Sequence, residues 1–406
     1  MNVLFLTLVQ FDSLQEKNIY TDLLREFVKN SHNVYVISPV EKRQNQSTHL
    51  IREKHARILR LKIGNTQKTN IIEKGISTLR IESQYKNAIK KFFSNVKFDL
   101  ILYSTPPITL VSAIEYVKKR DKAKTYLLLK DIFPQNAVDI GLLRTSGLKG
   151  LLYKHFRKKE KRLYRISDRI GCMSPANVDY VINHNPEIVP NKVGVCPNSI
   201  EVEDKSLDFE TKAKIREKYG IPLGKIVFVY GGNLGKPQGI PFVIKCLKKC
   251  DTITDVFFLI VGNGTEYSDL ENYIKKEKPV NVKLMQSLPK EDYDILVGAC
   301  DVGLLFLDYR FTIPNFPSRL LSYMQAKIPI LAVTDENTDV GKVITTGEFG
   351  WSVTSNSVKE VYKRILDIIS KNNFIEKGNN GYQYLREYYS VDKTYNSIIR
   401  NVRTNL

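Results

Sequence analysis

At 406 residues, 42% apolar and 26% charged, the chain has length and apolar content for two ordinary cores, which excludes a disordered or fibrous protein. Its formal charge of +19 is uneven: residues 1–200 hold 34 Lys and Arg against 17 Asp and Glu, while residues 201–406 hold 28 against 26. The first half alone is therefore suited to an anionic partner, either a nucleic acid or an acidic membrane surface.

The opening MNVLFLTLV reads as a buried strand, without the basic leader and cleavage site of a signal peptide, and sets the expectation of a cytoplasmic protein. No apolar run reaches the roughly 18 residues of a membrane span; the longest, at 100–117, is broken by Pro106 and Pro107. Residues 19–28 have helical apolar spacing and 33–37 form a second strand, so the chain starts β-α-β and a parallel sheet follows. The turn QFDSLQEKN contains no glycine and does not resemble a dinucleotide loop. Residues 52–74 are basic and less regular. A helix at 79–93, a strand at 98–103, a loop with Ser104, Thr105, Pro106 and Pro107, and another helix precede the strand at 124–130, which ends in Asp131, Phe133 and Pro134.

The segment 148–165, LKGLLYKHFRKKEKRLYR, places Leu148, Leu151, Leu152, His155 or Phe156, and Leu163 at helical spacing among dense bases. One reading is a core helix with a solvated basic face. The other is a helix that lies against an anionic leaflet, where each base contributes about 1 kcal/mol. The second is preferred because the whole half-chain carries the same sign. No helix-turn-helix, zinc-finger or RNP-like pattern accompanies the charge, so no nucleic-acid partner is expected.

Short strands at 168–174 and 193–199 close the first half, and residues 201–219 are polar and helical. The stretch 225–247, KIVFVYGGNLGKPQGIPFVIKCL, then runs an apolar β-branched strand through a glycine loop into an apolar-periodic helix. Gly231, Gly232 and Gly235 permit close approach of a ligand, and a helix N-terminus near Gly239 offers N–H groups to an anion such as phosphate. Strands at 255–261, 280–284, 301–307 and 328–333 alternate with helices at 264–277 and 292–300 and with a loop running into a helix over 311–326. Helices at 358–370, 377–388 and 394–402 complete the chain. The economical architecture is α/β: two Rossmann-like domains, 1–200 and 201–385, with a cleft between them and a helix in 386–406 crossing back to the first.

Metal-binding patterns are weak. Asp292-Tyr293-Asp294 spells DxD but opens an amphipathic helix, where acids complement the dipole. The five histidines form no ligand spacing, and the five scattered cysteines read as buried thiols. No metal or resident cofactor is expected.

Three stretches of the second half, YGGNLGKPQGI (230–240), LIVGNGTEYSDLE (259–271) and FPSRLLSYMQAKIPILA (316–332), resemble retaining family-4 glycosyltransferases of the GT-B fold. In the first half, LKDIFPQNAVDIG (129–141) resembles the aspartate-aromatic-proline segment of that family's bacterial capsule and O-antigen polysaccharide branch. The resemblance implies a nucleotide-sugar donor, UDP-linked, used as a substrate. Gly232, Asn233, Gly264, Asn315 and Ser318 would face its diphosphate, Ser287 and Leu288 its base, and Ser322 its ribose. Arg319, with Lys236, would neutralise the leaving diphosphate; the alternatives are a loop-capping surface arginine and a solvated lysine.

Two departures stand out. The family's two glutamates eight positions apart are Pro314 and Ser322 here, and its His-Asp pair reads Lys130-Asp131. Asp131 either orients an acceptor hydroxyl or the donor sugar, or caps the following turn; Lys130 is placed to meet a phosphate. The expected function is transfer, with retention, from a nucleotide sugar to a lipid-linked (polyprenyl diphosphate) saccharide by a peripheral protein at the cytoplasmic membrane face. Alternatives are a nucleotide-sugar epimerase of the same fold, an NAD-dependent oxidoreductase, and a non-catalytic membrane or nucleic-acid binder.

Overall fold

The computed structural model describes residues 1–66 and 71–403, and at 71, 72 and 74–76 the backbone alone. It divides into unit 1, Met1–Glu201 with the segment from Val391 onward, and unit 2, Val202–Ser390. The helix Phe374–Tyr388 is continuous, so residues 386–390 close unit 2 and the last helix, Val391–Arg403, is the part that belongs to unit 1.

Unit 1 is an eight-stranded sheet built from β1 (Asn2–Leu6), β2 (Asn33–Glu41), β3 (His49–Glu53), β4 (Ala56–Ile63), β5 (Leu100–Ser104), β6 (Lys124–Leu129), β7 (Arg169–Cys172) and β8 (Val193–Val195), in the order β3-β4-β2-β1-β5-β6-β7-β8. All pairs are parallel except β3 with β4. The β3–β4 hairpin occupies the basic stretch whose sequence reads as irregular. There the alternation in ARILRLKI is masked because Arg60, on a buried position, is a base: its guanidinium is taken inside by Phe11 O and Ser38 Oγ, both at 2.9 Å. Helix Ile19–Lys29 starts at a reciprocal cap, Asn18 accepting from Tyr20 and Thr21 N–H while Thr21 Oγ1 accepts from Asn18 N–H. Its apolar face packs with β1 and β2 and with Val391, Tyr395, Ile398 and Val402 of the last helix into one core. Burial there is what holds the chain's end on unit 1, helped by a 2.9 Å bond between the Tyr395 hydroxyl and His32 Nε2.

Unit 2 holds β9 (Ile226–Asn233), β10 (Val256–Asn263), β11 (Val282–Met285), β12 (Val302–Phe306), β13 (Ile330–Thr334) and β14 (Gly350–Thr354), all parallel, in the order β11-β10-β9-β12-β13-β14. This is the doubly wound order, and its strands read as near-continuous apolar runs because both faces are covered. The chain leaves β9 toward β10 on one side and returns to β12 on the other. That reversal opens a crevice at the C-terminal ends of β9 and β12, the place where open α/β sheets bind ligands. In unit 1 the same reversal occurs between β1 and β5.

Candidate active site

At the end of β9 the apolar strand gives way to Gly231, Gly232 and Asn233. The Tyr230 hydroxyl donates to Asn233 O at 2.7 Å, which folds the strand end over its own side chain. Leu234 N–H donates to Asn263 O and Glu266 N–H to Leu234 O, each 2.9 Å, so the segments after β9 and β10 are laced together. A Cβ at Gly262 or Gly264 would overlap the backbone of Gly232 or Leu234. Gly264 therefore serves this close backbone approach.

Gly232 and Asn233 do not belong to the helix N-terminus expected near Gly239. They are the last residues of β9, and the 3₁₀ turn Lys236–Gln238 and Gly239, with φ of 63°, intervene before helix Ile240–Cys250. Gln238 Oε1 fixes the loop by accepting from Asn233 Nδ2 (2.9 Å) and Gly235 N–H (3.2 Å). Lys236 is exposed, and its charge offsets only part of the rise that burial and Asp269 give the Glu266 carboxyl.

The opposite wall follows β12. Asp308 N–H donates to Pro237 O at 2.9 Å, joining this segment to the β9 loop. Asn337 Nδ2 holds Phe311 O at 2.6 Å and Thr338 Oγ1 holds Asn315 O at 2.5 Å; Asp335 holds the backbone N–H of Asn337 and Thr338. With its carbonyl bound to Thr338, Asn315 keeps its side-chain amide on Ile313 O at 3.5 Å. Ser318 is exposed, and helix Leu320–Gln325 is a short one that begins after Arg319.

Arg319 reaches back to β9. Its guanidinium carbon lies 4.3 Å from the ring centroid of Tyr230, and Nη2 lies 3.1 Å from where a Cβ at Gly232 would sit. Gly232 has φ of 131°, a conformation that favours glycine. Among the described residues Arg319 has no ion pair, and its Nη1 is buried without a hydrogen-bond partner. The side chain as a whole is half-buried, and a guanidinium with a buried, unpartnered nitrogen is costly unless an anion completes it. On the other side of the turn Tyr293, from helix Lys290–Gly298, occupies the space that a Gly231 side chain would take, and its hydroxyl is also buried without a partner. Burial raises its pKa well above the phenol range, so it is a neutral hydroxyl. Tyr323 braces the sheet beneath by donating to Val229 O and Leu304 O, at 3.2 and 3.1 Å.

The structure thus brings together Gly232, Asn233 and Arg319, with Ser322 half-buried in the turn that follows Arg319. Ser287 and Leu288 lie apart, beyond the end of the edge strand β11, with β10 between that strand and β9. The tyrosines at 230, 293 and 323 were not legible as site residues, since each looks like core aromatic spacing. In the DxD stretch, Asp294 points away to Lys205 and Lys290, at 2.6 and 2.8 Å.

In unit 1, Thr105 Oγ1 ties the end of β6 to the loop after β5, accepting from Lys130 N–H (3.0 Å) and Asp131 N–H (3.2 Å). Both oxygens of Asp131 accept from Asn136 Nδ2, at 2.8 and 2.6 Å, so the carboxylate does hold the turn at 132–136. Burial nonetheless raises its pKa to about 6, against the stabilising bonds from Ile132 N–H and Asn136. Lys130 Nζ donates to Cys196 O at 3.3 Å, and burial lowers its pKa. One of the three ammonium donors is thus engaged by the backbone.

Helix Gly147–Ile166 divides along its length. Toward its C-terminus Leu163 and Tyr164 are buried, and Arg157, Lys159, Lys161 and Arg162 pair with Glu160, Glu82, Glu187 and Glu115. Toward its N-terminus Leu148, Leu151 and Leu152 are 88%, 64% and 46% exposed, with Leu142 at 53% just before it. Around them Arg144, Lys149, Lys154 and Lys158 are exposed and form no ion pair among the described residues. The sequence reading that counted these leucines with Leu163 as one apolar stripe merged two different surfaces.

Residues 211–387 match the family model of glycosyl transferases, group 1, which covers nearly all of unit 2. The chain is 23% identical over 335 residues to the probable glycosyltransferase WbjE of Pseudomonas aeruginosa, covering 81% of this chain and 80% of that one. Among solved structures, sucrose-phosphate synthase from Thermosynechococcus elongatus superimposes at TM-score 0.77 with 13% identity, over 100% of this chain and 99% of the other. Anabaena HepE in complex with UDP does so at TM-score 0.70 with 15% identity, over 100% of both. The fold is that of GT-B glycosyltransferases.

Proposed function

We propose that this GT-B glycosyltransferase, whose unit 2 carries the group 1 domain, moves a sugar from a nucleotide diphosphate to a lipid-linked saccharide in surface-polysaccharide synthesis. The observation that carries the donor half of this reading is Arg319, an uncompensated cation lying against Gly232 at the chain reversal of the unit 2 sheet. The likeness to a UDP-bound structure supports a UDP-linked donor. When the bond between the anomeric carbon and the phosphate oxygen breaks, its electron pair goes to the diphosphate, which gains one negative charge. Arg319 stabilises that charge more than it stabilises the donor, and this difference accelerates transfer.

The acceptor hydroxyl bonds to the anomeric carbon on the face from which the diphosphate departs, and its proton passes to the leaving phosphate oxygen, so the configuration is retained; this part rests on the resemblance. Asp131 is the candidate for orienting the acceptor, since half-burial beside Asn136 keeps one defined carboxyl geometry. The reading assigns the protein no resident cofactor. Support for a lipid-linked acceptor is the exposed leucine tip at 142–152 with its four unpaired bases, which suits an anionic leaflet: leucines enter the headgroup boundary while Lys and Arg meet phosphates. On this reading the protein is peripheral at the cytoplasmic face. The test is transfer of labelled sugar by purified protein from a panel of nucleotide sugars to polyprenyl-diphosphate saccharides; a nucleotide sugar converted without acceptor would instead mark an epimerase.

A further inference from the structure

Two adjacent glycines admit two side chains. Gly231 leaves the space filled by the Tyr293 phenol, and Gly232 leaves the space reached by the Arg319 guanidinium. The cation in that space is held by neutral aromatic groups. The Tyr230 ring lies 4.3 Å from the guanidinium carbon, and the ring is itself fixed by the Tyr230 hydroxyl on Asn233 O and by Phe306 at 5.7 Å. An arginine oriented by a carboxylate has most of its charge offset before a ligand arrives. One oriented by a ring quadrupole keeps its charge for the ligand.

We propose that Tyr230 and Tyr293 are positioning residues that hold Arg319 as an uncompensated cation, so that the site selects a nucleoside diphosphate over the monophosphate of the same base. The inference rests on the donor-site reading above and adds residues to it. Tyr230 supplies the platform that fixes the plane of the guanidinium. Tyr293 supplies a buried hydroxyl beside the glycine turn, whose oxygen can accept from Arg319. The orphaned Arg319 Nη1 is completed by the arrival of an anion.

The experiment is calorimetric titration of the full chain with UDP, GDP and ADP and with the corresponding monophosphates, in wild type and in Tyr230→Leu, Tyr230→Phe and Tyr293→Phe, each checked for fold by circular dichroism. The wild type should prefer one diphosphate to its monophosphate by at least tenfold. Tyr230→Leu and Tyr293→Phe should each reduce that ratio about fivefold to tenfold with monophosphate affinity little changed, while Tyr230→Phe, which keeps the ring face, should retain most of it. Loosened packing would weaken both nucleotides together, so equal losses, or none, would overturn the positioning role. If no diphosphate binds the wild type, the donor-site reading fails and the inference with it. If Tyr230→Leu misfolds, Tyr293→Phe alone decides, because it removes a single unpartnered oxygen.

Discussion

Arg319 lies over the ring of Tyr230 at 4.3 Å and against Gly232, and among the described residues it forms no ion pair with an acidic side chain. If its charge stabilises the departing diphosphate, Arg319→Ala should lower kcat by about 10²–10³-fold while the protein folds normally. Arg319→Lys should recover only part of that, because a point charge on a flexible stem neither stacks on Tyr230 nor presents a fork to two phosphate oxygens. Steady-state rates with saturating donor would check both.

Gly232→Ala should act through the same contact. The new methyl would stand 3.1 Å from Arg319 Nη2 on a backbone with φ of 131°, so the guanidinium must move or the strand end must distort. Diphosphate affinity should fall about tenfold with only a modest loss of stability. Gly264→Ala should do the reverse and cost about 3 kcal/mol of stability, since its methyl would overlap the backbone at Leu234 with no side chain to yield. Chemical denaturation and nucleotide titration of the two variants separate the effects.

Asp131 sets a pH limb. Its carboxyl is raised to about 6, chiefly by burial, so the ionised form grows as pH rises through that value. If the carboxylate orients the acceptor, kcat/KM should rise across about pH 5 to 7, and Asp131→Asn should lose the limb along with most of the activity. The stability linkage has the opposite sense. Between the unfolded value of 3.8 and about 6 the folded state binds more protons than the unfolded one, so this group's contribution falls as pH increases. Asp131→Asn should remove that decline in denaturation curves taken from pH 4 to 7.

Most of the fold was legible in the sequence because both sheets are dominated by parallel strands whose apolar runs and glycine turns announce themselves. The β3–β4 hairpin was not, since Arg52, Arg57, Arg60 and Lys62 interrupt its alternation and the buried Arg60 depends on the distant acceptors Phe11 and Ser38. At the site, the glycine turn at 231–232 could be read from its residue types, whereas Asn233 and Arg319 were singled out by the family resemblance. The tyrosines could not be read either way, because an aromatic at a strand end reads as core until the third dimension places a guanidinium on its face. Nor could spacing tell that Lys130 Nζ donates to Cys196 O, or that Leu148, Leu151 and Leu152 lie outside while Leu163 on the same helix lies inside.

The leucine tip predicts a salt-sensitive membrane contact. Leu148→Ser with Leu151→Ser and Leu152→Ser should abolish co-sedimentation with phosphatidylglycerol vesicles and leave nucleotide binding intact. Changing Lys149, Lys154 and Lys158 to Glu should do the same at low salt, whereas the ion-paired Lys161 and Arg162 should be far less sensitive. Wild type should show little affinity for neutral phosphatidylcholine.

The central claim is that the diphosphate is held by Arg319 beside Gly232, and the most direct measurement is the affinity of the wild type and of Arg319→Ala for the nucleoside diphosphate of the donor. The account predicts one site per chain in the wild type and a loss of at least tenfold in the variant, with the melting temperature unchanged or raised because a half-buried charge without a counter-ion is removed. Equal affinities in the two proteins would contradict it.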